Sequence, residues 1–375
     1  MIRESDDMAV TTAEKIQMHR AFWNGEGPCL MLIPPGRDMQ EMWQVQIYDT
    51  GDYRERFYNP AKMWDNEMAR AWPVLDWPTD GIPTVRPNLG VIFVPSLAGQ
   101  KYEIRQGLMP WCGESLSPEQ IRAARDVDVT NAELMQLAAQ FYRIHRENSD
   151  GEIAAYQADN QGIFDIAHLL YGDAIFYDIM DEKKIPWVDE LLNISLDLMV
   201  RAVRRLKELI GEEDASMIHG HGTEQGVYFP NAGIRISEDS PAMISPEQID
   251  RFVIGPIERC AEQFGGVFMH YCGRHEYFFE RLCRCEGVRA IDLGNPEMYD
   301  TRRLFELSAE TNTVLYSRVA AQETEKEQRD WQGYVRRLAG LVKDTGARCI
   351  LRPLVFPQGR AECAAMLDLW HELTA

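Results

Sequence analysis

A basic surplus is missing from this chain. Its 39 Lys and Arg face 59 Asp and Glu, a formal net charge of −20. Nucleic acid and anionic membranes both call for a basic face, so neither is expected as a main partner. No apolar stretch reaches the roughly 18 residues of a transmembrane helix. The first residues, MIRESDDMAV, are too acidic and polar for a targeting segment. The chain has no CxxC pair, no internal repeat and no low-complexity tract. No GxGxxG follows its first apolar run, which disfavours a dinucleotide-binding open sheet. The 8 cysteines are scattered, and a chain of 375 residues needs no disulfide staples. They are expected as reduced thiols in the cytoplasm.

What is present is a large apolar fraction, 45% over 375 residues, enough for one sizeable core. The length suits a single α/β barrel with insertions, one domain over residues 1–375. Residues 1–130 read as a divergent part. It holds a helix from Thr11 to Trp23, a first buried strand at Cys29 to Pro34 and a helix from Pro60 to Ala71. The stretch WPVLDWPTDGIPTVRPNLG reads as loop. From residue 131 onward short apolar runs alternate with helical periods, which implies parallel strands joined by right-handed crossovers. Strands are expected to start at Cys29, Ala154, Ala215, Val267, Val288, Thr313 and Cys349, with an eighth at Val91 to Pro95 or at Gly233 to Ile236. The fold class is thus α/β, a (β/α)8 TIM barrel with an irregular, partly helical N-terminal elaboration. Polar residues cluster just after the strand ends, where such a barrel carries its site. They include Asp159, Asn160, His219, His221, Asn295, Arg318 and Arg352.

The run GGVFMHYCG is the most informative. Side chains two apart on a strand share a face, so His270 and Cys272 converge at its end, with Tyr271 between them and Gly273 releasing the chain. An imidazole and a thiol at that spacing form half of a zinc site. His219 and His221 in IHGHG stand between glycines at another strand end; they suit metal ligation, acid–base work or anion binding. Glu238 and Asp239 in RISEDSP can act as oxygen ligands or bases. Arg37, after Pro34-Pro35-Gly36, can clamp a substrate carboxylate. Cys349 is a further thiol in the last strand. Period-2 alternation allows only one of Cys349 and Arg352 to point into a barrel.

GGVFMHYCG, SEDSPAMISPEQIDRFVIGP and ARCILRP together resemble the uroporphyrinogen decarboxylase superfamily over roughly Gly151 to Leu373. The His-x-Cys strand end resembles its zinc-dependent corrinoid methyltransferase branch more than its haem-pathway decarboxylase. That resemblance implies zinc held by His270, Cys272 and Cys349, or by Glu238, Asp239, His219 or His221 in place of the last. It implies a small-molecule substrate, a thiol acceptor or a methylated donor, and a corrinoid carried by a partner protein. Asp159, Asn160, Tyr271, Asn295 and Arg352 are expected to line the substrate. The alternatives are a cofactor-free decarboxylase of a carboxylated ring, in which Arg37 holds a carboxylate and Asp239 or a histidine manages protons, and a non-catalytic binding protein that keeps the barrel without the chemistry.

Overall fold

The computed structural model describes residues 10–35, 53–104, 110–328, 330–355 and 357–375. Arg37 lies outside them. The strands are β1 (Leu30–Met31), β2 (Ile82–Val85), β3 (Tyr102–Glu103), β4 (Trp111–Cys112), β5 (Ala154–Ala155), β6 (Met217–His219), β7 (Gln225–Phe229), β8 (Ile234–Ser237), β9 (Val267–Tyr271), β10 (Val288–Leu293), β11 (Val314–Ser317) and β12 (Cys349–Leu351). A six-stranded sheet has the order β1-β12-β11-β10-β9-β8, parallel throughout. A second sheet has the order β5-β2-β7-β6, with β2 and β5 parallel and β7 antiparallel to both its neighbours. Two sets of contacts tie the sheets together. Gln161, beyond β5, forms a parallel bridge to Ser237 of β8, and the Asp80 N–H donates to the Met31 carbonyl at 3.1 Å. Among the described residues no helix is long and apolar enough to cross a membrane.

Local chemistry explains the helices that frame the sheet. Thr11 and Glu14 form a capping box on the helix Thr12–Trp23. Ser245 does the same with Gln248, with Pro246 in the first turn, where its missing N–H costs nothing. Pro256 falls further along the same helical run. The backbone widens into a π-turn at Asp250–Ile254 just before it, which relieves the clash between the ring and the preceding turn.

Three expectations change. Within the stretch expected from Ala215 to His219, only Met217–His219 forms a strand, β6, and it pairs antiparallel with β7 and lies outside the parallel sheet. Val91 to Pro95 is no strand: Phe93–Leu97 is a buried helical turn, since a short apolar run has no periodicity to separate the two. Of the two alternatives, the stretch from Gly233 to Ile236 is the one that forms a strand, overlapping β8. The loop-like stretch conceals β2, whose Pro83 sits where the ladder needs no donor, while Thr84 N–H bonds the Glu224 carbonyl at 2.8 Å.

Register decides which side chains share a face. Arg235 and Ser237 align with Phe268 and His270; these align with Ala290 and Asp292; Ala290 aligns with Val314, and Tyr316 with Ile350. Paired residues of neighbouring strands point the same way, so all of these line one face. The hairpin β6–β7 packs onto it. Phe229 stacks on Phe268 with centroids 5.0 Å apart, and the His221 ring lies 6.2 Å from Tyr316.

Candidate active site and metal centre

β9 carries His270 one residue before its end and Cys272 just beyond it. As their spacing requires, the two meet: Cys272 Sγ is 3.4 Å from His270 Nε2. Asp239 follows β8, and its Oδ1 accepts the Cys272 N–H at 2.6 Å. The carboxylate, imidazole and thiol offer ligand atoms all within 4.8 Å of one another. On the other side of the ring, His270 Nδ1 lies 2.8 Å from Asp292 Oδ2. His221 Nε2 reaches the same oxygen at 2.6 Å. His221, His270 and Asp292 form a second group within the same 4.8 Å limit.

Asp292 is fully buried on β10. Burial pushes its carboxyl up, but His221 and His270 outweigh that and hold it well below the usual carboxylate range. Burial, followed by the nearby Arg235, drives His221 well below the ordinary imidazole value. Burial and then Arg235 do the same to His219. His219 does not join either group. Its Nδ1 accepts the His221 N–H at 2.9 Å, and its ring packs on Tyr156 at 4.9 Å.

Glu238 turns away from the site. Its two oxygens take the N–H groups of Phe164 (3.1 Å) and Asp165 (3.0 Å) at the N-terminus of the helix Ile163–Tyr171. Burial and then Asp165 raise its carboxyl well above the usual range. Asp165 returns the contact by accepting from Asp239 N–H (2.7 Å) and Ser240 N–H (2.9 Å). This reciprocal bonding holds the loop that presents Asp239. Glu238 is therefore a helix cap in this fold.

Cys349 is also not brought to the site. It aligns with Leu315, whose neighbour Tyr316 is on the His270 face, so Cys349 points to the opposite side. There its N–H meets Cys29 Sγ at 3.4 Å. Arg352, three residues on, takes the inner face, with its guanidinium 5.7 Å from the Tyr316 ring centre. Tyr271 alternates away from His270 for the same reason; its hydroxyl lies 2.8 Å from that of Tyr299. Asp159 binds Arg235 at 2.7 Å and stands 3.6 Å from Arg86. Asn160 is buried against Gln157, with its Nδ2 donating at 3.3 Å. Asn295 Oδ1 accepts the Gly273 N–H at 3.0 Å and so joins the loops after β9 and β10.

Two residues of the site were missed in the sequence, Asp292 and Arg86. Asp292 had a signal: an acid inside the apolar run VRAIDLG, at the strand level of His270. Arg86 follows a strand hidden by its prolines.

Burial, then Asp239 and Asp292, pushes the Cys272 thiol up to about 11. At pH 8 about one thiol in a thousand is then ionised. Alkylation of Cys272 in metal-free protein is expected to be slow at pH 8 and to quicken about tenfold for each unit by which the pH rises toward 11. Peptide mass spectrometry after timed iodoacetamide exposure checks this; rapid labelling at pH 7 contradicts it. Gly294 leaves room for the thiol, since a Cβ there would lie 2.6 Å from Cys272 Sγ. Gly294→Ala is expected to displace the thiol and lower zinc content with little change in melting temperature. Wild-type zinc content in that variant would show that the thiol position is not critical.

No protein-family model matches the chain, and no curated protein matches it. Among solved structures it is similar to a methyltransferase from Methanosarcina mazei, with a TM-score of 0.65 and 15% identity, covering 97% of this chain and 99% of that one. At such identity the likeness is one of fold, and it spans nearly the whole of both chains.

Proposed function

We propose that this chain is a metal-dependent methyltransferase of the uroporphyrinogen decarboxylase superfamily, close in design to its corrinoid-using branch. The observation that carries the reading is the meeting of Asp239, His270 and Cys272 at adjoining strand ends. The donor set suits zinc: one imidazole nitrogen, one thiol sulfur and one carboxylate oxygen leave a fourth position open. Asp292 behind His270 is the outer carboxylate that metal-bound histidines ordinarily have. The full-length likeness to a methyltransferase supports the same reading.

In this reading β1, β2, β5, β8, β9, β10, β11 and β12 close into one (β/α)8 barrel, one domain of 375 residues. The links from Asp80 to Met31 and from Gln161 to Ser237 are the seams. When bound, zinc supplies a Lewis acid that keeps a substrate thiol ionised at neutral pH. The protein's own groups do the rest. Asp292 orients His270, Asp165 holds the Asp239 loop, and Arg352 and Arg318 flank the place of the substrate. A corrinoid on a partner protein, in a cytoplasmic setting, would supply the methyl group to that thiolate, with the carbon–cobalt bond breaking as the carbon–sulfur bond forms and its electron pair staying on cobalt.

A second reading, the cofactor-free decarboxylase, draws on the basic lining of the strand ends. Arg86 and Arg235 share the single carboxylate of Asp159. Burial, and then the charge of Arg352, lowers the Arg318 guanidinium below its ordinary value. Such a lining suits an anionic substrate on a chain whose net charge is −20. Elemental analysis of the purified protein separates the two readings. About one zinc per chain, with thiol-dependent demethylation of a methylated corrinoid protein, is expected. Metal-free protein that releases CO2 from a carboxylated ring would replace the first reading with the second.

A further inference from the structure

We propose that His221 is a positioning residue for His270, acting through Asp292, and that the hairpin β6–β7 delivers it. The inference rests on the reading of His270 as a metal ligand. His221 sits at the hairpin tip with φ of 46°, in left-handed backbone that a residue with a side chain enters under strain. Local bonds hold that conformation: the His221 N–H donates to His219 Nδ1 at 2.9 Å, and the Gly222 N–H to the Tyr156 hydroxyl at 3.1 Å. The ring is set 4.5 Å from that of His270 and 5.8 Å from Phe268.

The geometry at Asp292 gives the strain a purpose. Two imidazoles from different elements, His270 of β9 and His221 of the hairpin, converge on one oxygen, Oδ2, at 2.8 and 2.6 Å. The other oxygen, Oδ1, is buried and has no hydrogen-bond partner among the described residues. A single donor leaves the plane of a carboxylate loosely restrained about its Cβ–Cγ bond. Two donors from different elements, converging on one oxygen, hold that plane and the oxygen position that His270 meets. With Nδ1–H of His270 committed to Asp292, its Nε2 lone pair faces Cys272 and Asp239. Packing alone would ask of His221 only a ring of its size. Orienting Asp292 asks for a donor at Nε2, and this difference can be tested.

His221→Phe keeps a ring and loses the donor; His221→Gln keeps a donor of similar reach. Three quantities are measured on the full chain: zinc affinity by competition with a chromophoric chelator, the absorption spectrum of the cobalt-substituted protein, and the NMR signal of the His270 Nδ1 proton in metal-free protein. His221→Phe is expected to weaken zinc about 10–100-fold, to shift the cobalt bands and to move the His270 signal. His221→Gln is expected to restore most of all three. Wild-type affinity and an unmoved signal in His221→Phe would overturn the proposal. Two metal ions per wild-type chain would also overturn it, because His221 would then be a ligand itself. Should wild-type protein bind no zinc, the metal reading fails separately, and the His270 signal alone decides whether His221 orients the ring. If His221→Phe does not fold, His221→Asn, too short to reach Asp292, replaces it with the same expectations.

Discussion

Cys272→Ala is expected to lose its zinc and its methyl-transfer activity while keeping the fold. Cys272 follows the buried strand β9 and is itself exposed, so the core does not depend on it. Substitutions at such positions usually change stability by no more than about 0.5 kcal/mol. Zinc affinity is another matter. Loss of an outer-shell partner weakens metal binding about 10–100-fold, and loss of a direct ligand should exceed that. Elemental analysis, a thermal melt and a corrinoid-dependent methyl-transfer assay on the same preparation give the result. Full zinc and full activity in Cys272→Ala would sink the proposed site. Loss of both together with loss of the fold would assign Cys272 a structural role instead.

Asp292→Asn should have the largest combined effect on stability and metal binding. The side chain has 0% exposure and serves both His221 and His270 through one oxygen. Hydrogen bonds to a buried charged group contribute about 1.5–3 kcal/mol each. Asparagine keeps the shape but removes the charge, and its neutral carbonyl oxygen accepts the two imidazole donors more weakly. A loss of roughly 3 kcal/mol in unfolding free energy is expected, with zinc binding weakened about 10–100-fold. The pH dependence has a definite sign. The folded pKa of Asp292 is held well below its ordinary value. Its contribution is therefore present above the ordinary carboxylate range and is lost as pH falls through the folded value. The gap between wild type and Asp292→Asn should hold from pH 7 to pH 5 and close only in strong acid. Denaturant melts at several pH values check this, and a gap that disappears by pH 5 would contradict it.

Period-2 alternation made part of the site legible. His270 and Cys272 had to share a face, and they do. The same rule set Cys349 against Arg352, and the register resolved the choice for Arg352. The helices Thr12–Trp23 and Pro60–Ala71 were equally readable, because capping side chains and helical periodicity act over a few neighbouring residues. Glu238 and Asp239 could not be told apart in the sequence. Adjacent residues at a strand end face different surroundings, and only the helix N-terminus at Phe164 and Asp165 shows which acid is consumed as a cap.

By itself, then, the sequence determined the α/β alternation, the acidic charge balance, the lack of any apolar stretch as long as a transmembrane helix, and the His-x-Cys pair at a strand end. These follow from composition and from contacts between near neighbours in the chain. Only the tertiary structure decided that β2 lies hidden in a proline-rich stretch, that β6 and β7 form a hairpin against the inner face, and that Asp239 and Asp292 stand on either side of His270. The pairings of Asp292 with His221 and of Cys272 with Asp239 join residues 71 and 33 positions apart, counting 292 − 221 and 272 − 239. No local rule of spacing links such residues. Their meeting is set by strand register and by the packing of the hairpin, which depend on the whole sheet at once.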